Sequence, residues 1–253
     1  MLAKSPQVGV FGATSSGINT IKKELDDWLY TELEGVVQSG PFADMVLRHE
    51  TSWSETRLAP MLLGCYEEEL HGLIEQQVTR LKRWERPPNI VVVGCAEGYY
   101  AIGLKLRLPH AKVYALDSDD KALAIMKHTA LDNDVEVIVG ADLSEVFAAP
   151  DLIVMDCEGA EVTYLDHNKF PALVGAHIIV EVHNLEGQPT DEILLERFRG
   201  THRIDMVFEG PRNPNKFKQL CGMTADYRWM AVSEDRPCLM SWYSMTPRGM
   251  TLS

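Results

Sequence analysis

Residues 91–101, VVVGCAEGYYA, decide the fold of this 253-residue chain. A short, wholly apolar run enters a turn with Gly94 and Gly98 four residues apart, and a helical pattern follows. Glycine permits a tight turn and a close approach of the backbone to a ligand, while the start of a helix offers free N–H groups. The stretch therefore predicts a strand, a ligand-binding turn (Gly94, Cys95, Ala96, Glu97, Gly98 and Tyr99) and a helix, although a simple packing turn has the same spacing.

The pattern around this unit predicts an α/β fold. Apolar runs at 89–93, 112–116, 136–139, 151–155 and 177–182 alternate with helical patterns, most clearly at 99–108, 119–131 and 190–199. Such alternation is typical of right-handed βαβ units and a parallel sheet. Two more strand patterns, 202–208 and 238–245, flank an insertion rich in Pro, Asn and Gly. We expect a Rossmann-like, seven-stranded, mostly parallel sheet that ends in an antiparallel strand pair.

The first part of the chain has a different character. Helical spacing at 15–38, 41–49 and 66–84 precedes Pro87-Pro88, which ends the last of these helices. This predicts a helical segment over 1–88, acting as a cap, a dimerisation element or a substrate lid, and a ligand-binding domain over 89–253. A homodimer through these helices is one option.

Composition excludes several classes of function. A net charge of −13 argues against a nucleic-acid binder, which needs a basic surface to release counterions. No apolar run is long enough to span a bilayer and the first residues make a poor signal peptide, so we expect no membrane contact and a cytoplasmic protein. Five cysteines without a C-x-x-C pair favour reduced thiols over zinc or disulfides.

Carboxylates after the next two strands suit an adenosine. Asp117, beside Ser118, lies 23 residues beyond Gly94 at the end of the second strand, where it can accept both ribose hydroxyls. Gly140-Ala141-Asp142-Leu143 follows the third strand, and Asp142 could accept the adenine amino group. Each acid alone also fits a loop or helix cap, but the three elements in this order favour a nucleoside site.

Residues 89–184 resemble class I S-adenosylmethionine-dependent methyltransferases, and within them the FkbM-type family. The motifs that carry the resemblance are VGCAEGYYA (93–101), ALDSDDKALAIMKHTALDN (115–133), DLIVMDCEGAE (151–161) and IIVEVHN (178–184). The last two are the most diagnostic, because dinucleotide dehydrogenases lack them. The resemblance implies S-adenosylmethionine as cofactor. The family usually has an acid where this chain has Val92, so we expect Glu97 to bind the methionine ammonium, unless it is only a first-turn acid of the helix.

Candidate catalytic residues follow the fourth and fifth strands, where open α/β sheets bind ligands. Asp156 ends the fourth strand, and Glu181 and His183 alternate at the end of the fifth, so these two share a strand face. The three side chains suit Mg²⁺ or Mn²⁺, and Asp156 is also a candidate cofactor-binding residue. His183 as a base without metal, or a structural role for all three, stays open.

Residues on the substrate side are harder to assign. Tyr66 and Glu67 open a helix near the cleft, and the insertion carries Arg212, Asn213, Arg228, Trp229 and Arg236. Arginine and aromatic residues together suit an anionic group beside a ring, although loop charges and a core tryptophan explain them equally well.

The sequence therefore predicts methyl transfer to a small molecule, with oxygen as the acceptor atom. Two other functions stay open, a nicotinamide-dependent oxidoreductase and a non-catalytic S-adenosylmethionine-binding scaffold. The oxidoreductase would need an inner glycine in the turn, where this chain has Cys95-Ala96-Glu97.

Overall fold

The structure is a computed structural model that describes residues 12–52 and 57–249, with side chains from residue 17 onward. Its sheet has seven strands in the order β3-β2-β1-β4-β5-β7-β6. The strands are β1 Asn89–Val93, β2 Lys112–Leu116, β3 Ile138–Val139, β4 Leu152–Met155, β5 His177–Glu181, β6 His202–Phe208 and β7 Ser241–Pro247. The first five pair in parallel, and β7 runs antiparallel to both β5 and β6. The predicted fold is confirmed.

The helices lie before and between the strands. In chain order they are α1 Gly12–Leu33, α2 Leu58–Leu63, α3 His71–Lys82, α4 Tyr99–Arg107, α5 Asp120–Asp132, α6 Leu143–Val146, α7 Glu161–Tyr164, α8 Thr190–Phe198 and α9 Ala225–Ala231. The insertion between β6 and β7 holds α9 and two short 3-10 helices. None of the helices in the described ranges is long and apolar enough to cross a membrane.

Two hydrophobic layers cover the two faces of the sheet. Alternate residues of β1 belong to different layers, with Ile90 and Val92 in one and Val91 and Val93 in the other. The first layer also contains buried residues of the amino-terminal segment, including Leu29 of α1. Burial on both faces explains why the central strands are apolar without alternation.

The predicted helix at 41–49 is wrong. The chain there pairs with residues 35–37, through an isolated bridge between Val36 and Val46 and a bond from the Leu47 N–H to the Gly35 carbonyl. Asp44 has a φ of 71°, which a right-handed helix does not allow. The same region shortens α1, because Glu34 and Gly35 both adopt positive φ and end it at Leu33 rather than 38.

Candidate functional site

A cavity of about 470 Å³ opens where the strand order reverses, at the carboxyl ends of β1, β2 and β4. This reversal point is where open α/β sheets bind ligands. The lining comes from the turn after β1, the ends of β2 and β3, the residues after β4 and the amino-terminal segment. The residues on the cavity wall include Gly94, Cys95, Ala96, Glu97, Tyr99, Asp117, Ser118, Gly140, Ala141, Asp156, Cys157, Glu158 and Tyr66.

The glycine turn is shaped by its neighbour β4. Gly94 has a φ of +73°, and a Cβ there would lie 1.5 Å from the carbonyl oxygen of Asp156. The N–H groups of Gly94 and Cys95 both donate to the carbonyl of Leu116, at 2.8 and 3.1 Å. Only glycine at position 94 therefore lets β1, β2 and β4 meet at this edge.

Asp117 holds the same turn from the end of β2. Its carboxylate accepts the N–H of Ala96 at 2.8 Å and the N–H of Asp119 at 2.9 Å, one on each oxygen. An ionised carboxylate has about four acceptor positions, so each oxygen keeps capacity for a further donor. Asp117 is half-buried and lines the cavity. The geometry is compatible with the predicted ribose contact.

The residues after β3 divide between the cavity and a helix cap. Gly140 and Ala141 line the cavity, whereas Asp142 and Leu143 lie outside the lining. Asp142 caps α6 by accepting the N–H of Ser144 at 2.8 Å, and bonds from Ser144 lower the pKa of this carboxyl. Both bonds from Ser144 end on Oδ1, so the predicted contact with adenine would fall to Oδ2 of a residue outside the cavity lining.

Sequence reasoning missed the segment that reaches the cavity from the amino-terminal side. Leu47, Arg48, Glu50, Thr51 and Ser52 all belong to the lining. Three contacts fasten this segment: a two-point ion pair from Arg48 to Asp132, a bond from Lys121 to the Thr51 carbonyl and a bond of 2.6 Å from the Ser52 hydroxyl to Glu97. Irregular chain has no period, so no sequence pattern marked these residues.

Glu97 therefore has a role besides the predicted one. Its Oε1 accepts both the N–H and the hydroxyl of Ser52, and the side chain lines the cavity. Glu97 precedes Gly98, which lies immediately before α4. The carboxylate thus joins the glycine turn to the amino-terminal segment, at a place where it can also face a bound cation.

Asp156 is the centre of the predicted catalytic group. Its Oδ1 lies 3.7 Å from Nε2 of His183, and Nε2 lies 3.5 Å from Oε2 of Glu158. Nδ1 of His183 is 2.8 Å from Oε1 of the fully buried Glu161. Burial alone would lower the pKa of His183, but the bond to Glu161 and the charge of Asp156 outweigh it and raise that pKa. Burial raises the pKa of Asp156.

Glu181, the third predicted residue, lies beside Asp156, and a side-chain hydrogen bond joins the two carboxyl groups. It is fully buried, and Oε1 accepts a bond of 2.8 Å from Arg236. Burial and the nearby charges of Asp156 and Glu67 raise the pKa of Glu181 to about 10. Glu181 is therefore protonated at neutral pH and can donate its proton to the carboxylate of Asp156.

The arginines predicted to bind substrate are paired inside the protein. Arg236 also contacts Glu67 at 2.6 Å and Glu234 at 3.1 Å, and its side chain is 6% exposed. Arg212 is buried, contacts Glu69 at 2.7 Å and forms a shorter ion pair with Glu234. Neither lines the cavity. Both guanidinium groups are thus already neutralised by carboxylates.

The other predicted substrate residues are spread out. Tyr66 is buried and lines the cavity, while Glu67 lies behind it and accepts a bond from the Tyr100 hydroxyl. Asn213 caps a 3-10 helix, Arg228 bonds Asn215 at 3.1 Å, and Trp229 is exposed on α9. Of these residues, the structure places only Tyr66 on the cavity wall.

Comparison with known proteins bears on the function. The chain is similar to ribosomal protein L11 methyltransferases. It is 32% identical to the one from Thermotoga neapolitana over 143 residues, which cover 52% of this chain and 53% of that protein. It is 35% identical to the one from Thermotoga maritima over 88 residues, 34% of this chain and 33% of that protein. The chain thus spans about half the length of one curated relative and a third of the other, and no family model matches it.

Solved structures show a weaker likeness. A SAM-dependent methyltransferase from Agrobacterium tumefaciens aligns with a TM-score of 0.48 at 12% identity, over 72% of this chain and 63% of that one. The O-methyltransferase TomG from Streptomyces achromogenes, in complex with SAM, aligns with a TM-score of 0.44 at 12% identity, over 70% and 80%. Likeness at this level assigns neither substrate nor site residues.

Proposed function

We propose that the protein is an S-adenosylmethionine-dependent methyltransferase that binds its donor in the cavity between β1, β2 and β4. One observation carries the proposal: the glycine turn and Asp117 meet on the wall of a cavity of about 470 Å³ at the reversal of strand order. The partial similarity to curated methyltransferases supports the same reading.

The donor would lie along the strand ends. Asp117 would accept the ribose hydroxyls, Gly140 and Ala141 would flank the adenine, and the turn at Gly94 would pass beneath the methionine part. The ammonium would face Glu97, whose carboxylate already joins the turn to Ser52. This arrangement fits a cation better than a pyrophosphate, because Glu97 would repel a pyrophosphate.

The acceptor would approach beside Asp156, where the cavity passes from the glycine turn to the residues after β4. Methyl transfer needs an acceptor lone pair in line with the sulfonium carbon, so positioning supplies most of the rate. We keep the predicted small-molecule acceptor with an oxygen atom, for which His183 or a divalent ion would assist loss of the proton. The resemblance of the segments after β4 and β5 to the FkbM-type family supports this choice.

A protein acceptor is the second candidate. The curated relatives are named for methylation of ribosomal protein L11, and the matched region covers half of this chain. The predicted anionic substrate is less well supported, because Arg212 and Arg236 are paired with buried glutamates away from the cavity.

Two measurements on the 253-residue chain test the proposal. Calorimetric titration should show saturable binding of S-adenosylhomocysteine and none of NADH, since only the former matches a turn that carries Glu97. Transfer of a labelled methyl group to hydroxyl-bearing small molecules and to ribosomal protein L11 then separates the two acceptor classes. Binding of NADH without S-adenosylhomocysteine would establish the oxidoreductase, and donor binding without transfer to any acceptor would favour the scaffold.

A further inference from the structure

Three side chains after β4 and β5 converge on one point at the cavity. Asp156 follows β4, Glu158 lies in the next turn, and His183 follows β5. One ligand atom from each lies within 4.8 Å of the other two, which is close enough to share one metal ion. Asp156 and Glu158 line the cavity, so an ion held here would face the space where the acceptor is expected.

The imidazole is oriented by a residue that does not take part in the cluster. Nδ1 of His183 is 2.8 Å from Oε1 of Glu161, which is fully buried and also accepts the N–H of Gly159 at 3.1 Å. A histidine that donates through Nδ1 to a carboxylate presents the lone pair of Nε2 on the opposite side of its ring. Metal-binding histidines characteristically have such a partner, which fixes the tautomer and the ring plane.

The carboxylate of Asp156 keeps open acceptor capacity at this point. Oδ1 of Asp156 is buried without a hydrogen bond, although it lies only 3.7 Å from Nε2 of His183. The fully buried Glu181 joins the carboxylate of Asp156 through a side-chain hydrogen bond, which uses part of the acceptor capacity of Asp156 and leaves the rest open. Unpaired buried polar atoms are uncommon in folded proteins, and a bound cation is one of the groups that can satisfy such oxygens.

We propose that Asp156, Glu158 and His183 bind a divalent cation, with Glu161 as the positioning residue for His183. This set replaces one member of the triad predicted from the sequence. Glu158 takes the place of Glu181, because Arg236 bonds the carboxyl of Glu181 at 2.8 Å and would repel a metal ion there. Two carboxylates with one imidazole suit Mn²⁺, since oxygen ligands favour hard cations and imidazole favours transition metals.

The site is tested by titrating the 253-residue chain with Mn²⁺ alone. Binding is measured as the decrease in the electron paramagnetic resonance signal of free Mn²⁺. The wild type should bind one equivalent without any methyl donor present. Glu158→Gln and His183→Ala should each weaken binding at least 10-fold, because each removes a ligand. The matched control is Glu186→Gln, an exposed carboxylate beyond His183, which should leave the affinity unchanged.

The positioning role of Glu161 has a separate readout. Glu161→Gln keeps an acceptor for Nδ1 but removes the charge, and loss of such a partner lowers metal affinity by roughly 10- to 100-fold. Glu161→Asp keeps the charge on a shorter side chain and should recover part of the affinity. Thermal unfolding in metal-free buffer shows that each variant is folded.

Three results would overturn the metal site: no stoichiometric Mn²⁺ binding, equal affinities for Glu158→Gln and Glu186→Gln, or unchanged affinity in His183→Ala. These outcomes are independent of the proposed methyl donor. S-adenosylhomocysteine binding without Mn²⁺ binding contradicts the metal site alone, while Mn²⁺ binding without S-adenosylhomocysteine binding contradicts the proposed function alone.

Discussion

Asp117→Asn should weaken binding of S-adenosylhomocysteine by roughly 30-fold. The substitution keeps the size of the side chain but replaces one acceptor oxygen by an NH₂ group. That group would face either the N–H of Ala96 or the N–H of Asp119, which the native oxygens accept at 2.8 and 2.9 Å. A hydrogen bond to a charged group contributes about 1.5–3 kcal/mol, and the amide oxygen can keep one of the two ribose contacts. A loss of about 2 kcal/mol then corresponds to the stated factor.

Isothermal titration calorimetry of folded protein measures this change directly. The control is Asp120→Asn, which removes a carboxylate of the same charge from an exposed position three residues away. Asp120 lies in the first turn of α5, and we expect its substitution to leave affinity within twofold. The reasoning is refuted if Asp117→Asn binds as tightly as the wild type while its thermal unfolding is unchanged, because the ribose would then lie elsewhere.

Three other substitutions test the frame around the cavity. Gly94→Ala should abolish donor binding in the titration, since its Cβ would fall 1.5 Å from the carbonyl oxygen of Asp156; wild-type affinity would contradict the proposed turn. Arg236→Met should lower the free energy of unfolding by about 3–5 kcal/mol, measured in urea, because it removes the counter-charge of the buried Glu67 and Glu234 carboxylates. Arg203→Met, on the exposed surface, should lower it by less than about 0.5 kcal/mol. Glu181→Gln should gain stability relative to the wild type as pH rises from about 5 to 10, by at most about 1.4 kcal/mol per pH unit; equal pH profiles would contradict a protonated Glu181.

The sign of the last prediction follows from the direction of the pKa shift. The carboxyl of Glu181 has a pKa of about 10 in the folded protein against 4.5 as its ordinary value. The unfolded chain therefore loses this proton first as pH rises, and the folded state becomes relatively less stable between the two values. Glutamine cannot ionise, so the variant does not lose stability in this way as pH rises.

The sheet was predictable from the sequence because its central strands are buried on both faces. Five apolar runs separated by helical patterns leave few arrangements when crossovers are right-handed. The position of Asp117 followed from the same logic, since a residue at the carboxyl end of β2 must lie beside the turn after β1. The bounds of β7 were less well placed, because the strand covers Ser241–Pro247 instead of the predicted 238–245.

The amino-terminal wall of the cavity was not predictable. Residues 47–52 are held by distant partners, among them Asp132 and Glu97, and such contacts leave no periodic trace in the sequence. The sequence shows the charge of Arg212 and Arg236 and their aromatic neighbours, which is why both resemble substrate-binding residues. It does not show that they pair with glutamates far away in the chain, such as Glu69 and Glu67. Pairing across the fold is a tertiary property.

A crystal structure of the 253-residue chain with S-adenosylhomocysteine tests the central claim most directly. We expect the nucleoside in the cavity beside Gly94, with its ribose hydroxyls about 2.5–3.0 Å from the carboxylate of Asp117 and its sulfur toward Asp156. A cavity that stays empty at saturating ligand, or a ligand bound elsewhere on the sheet, would contradict the account.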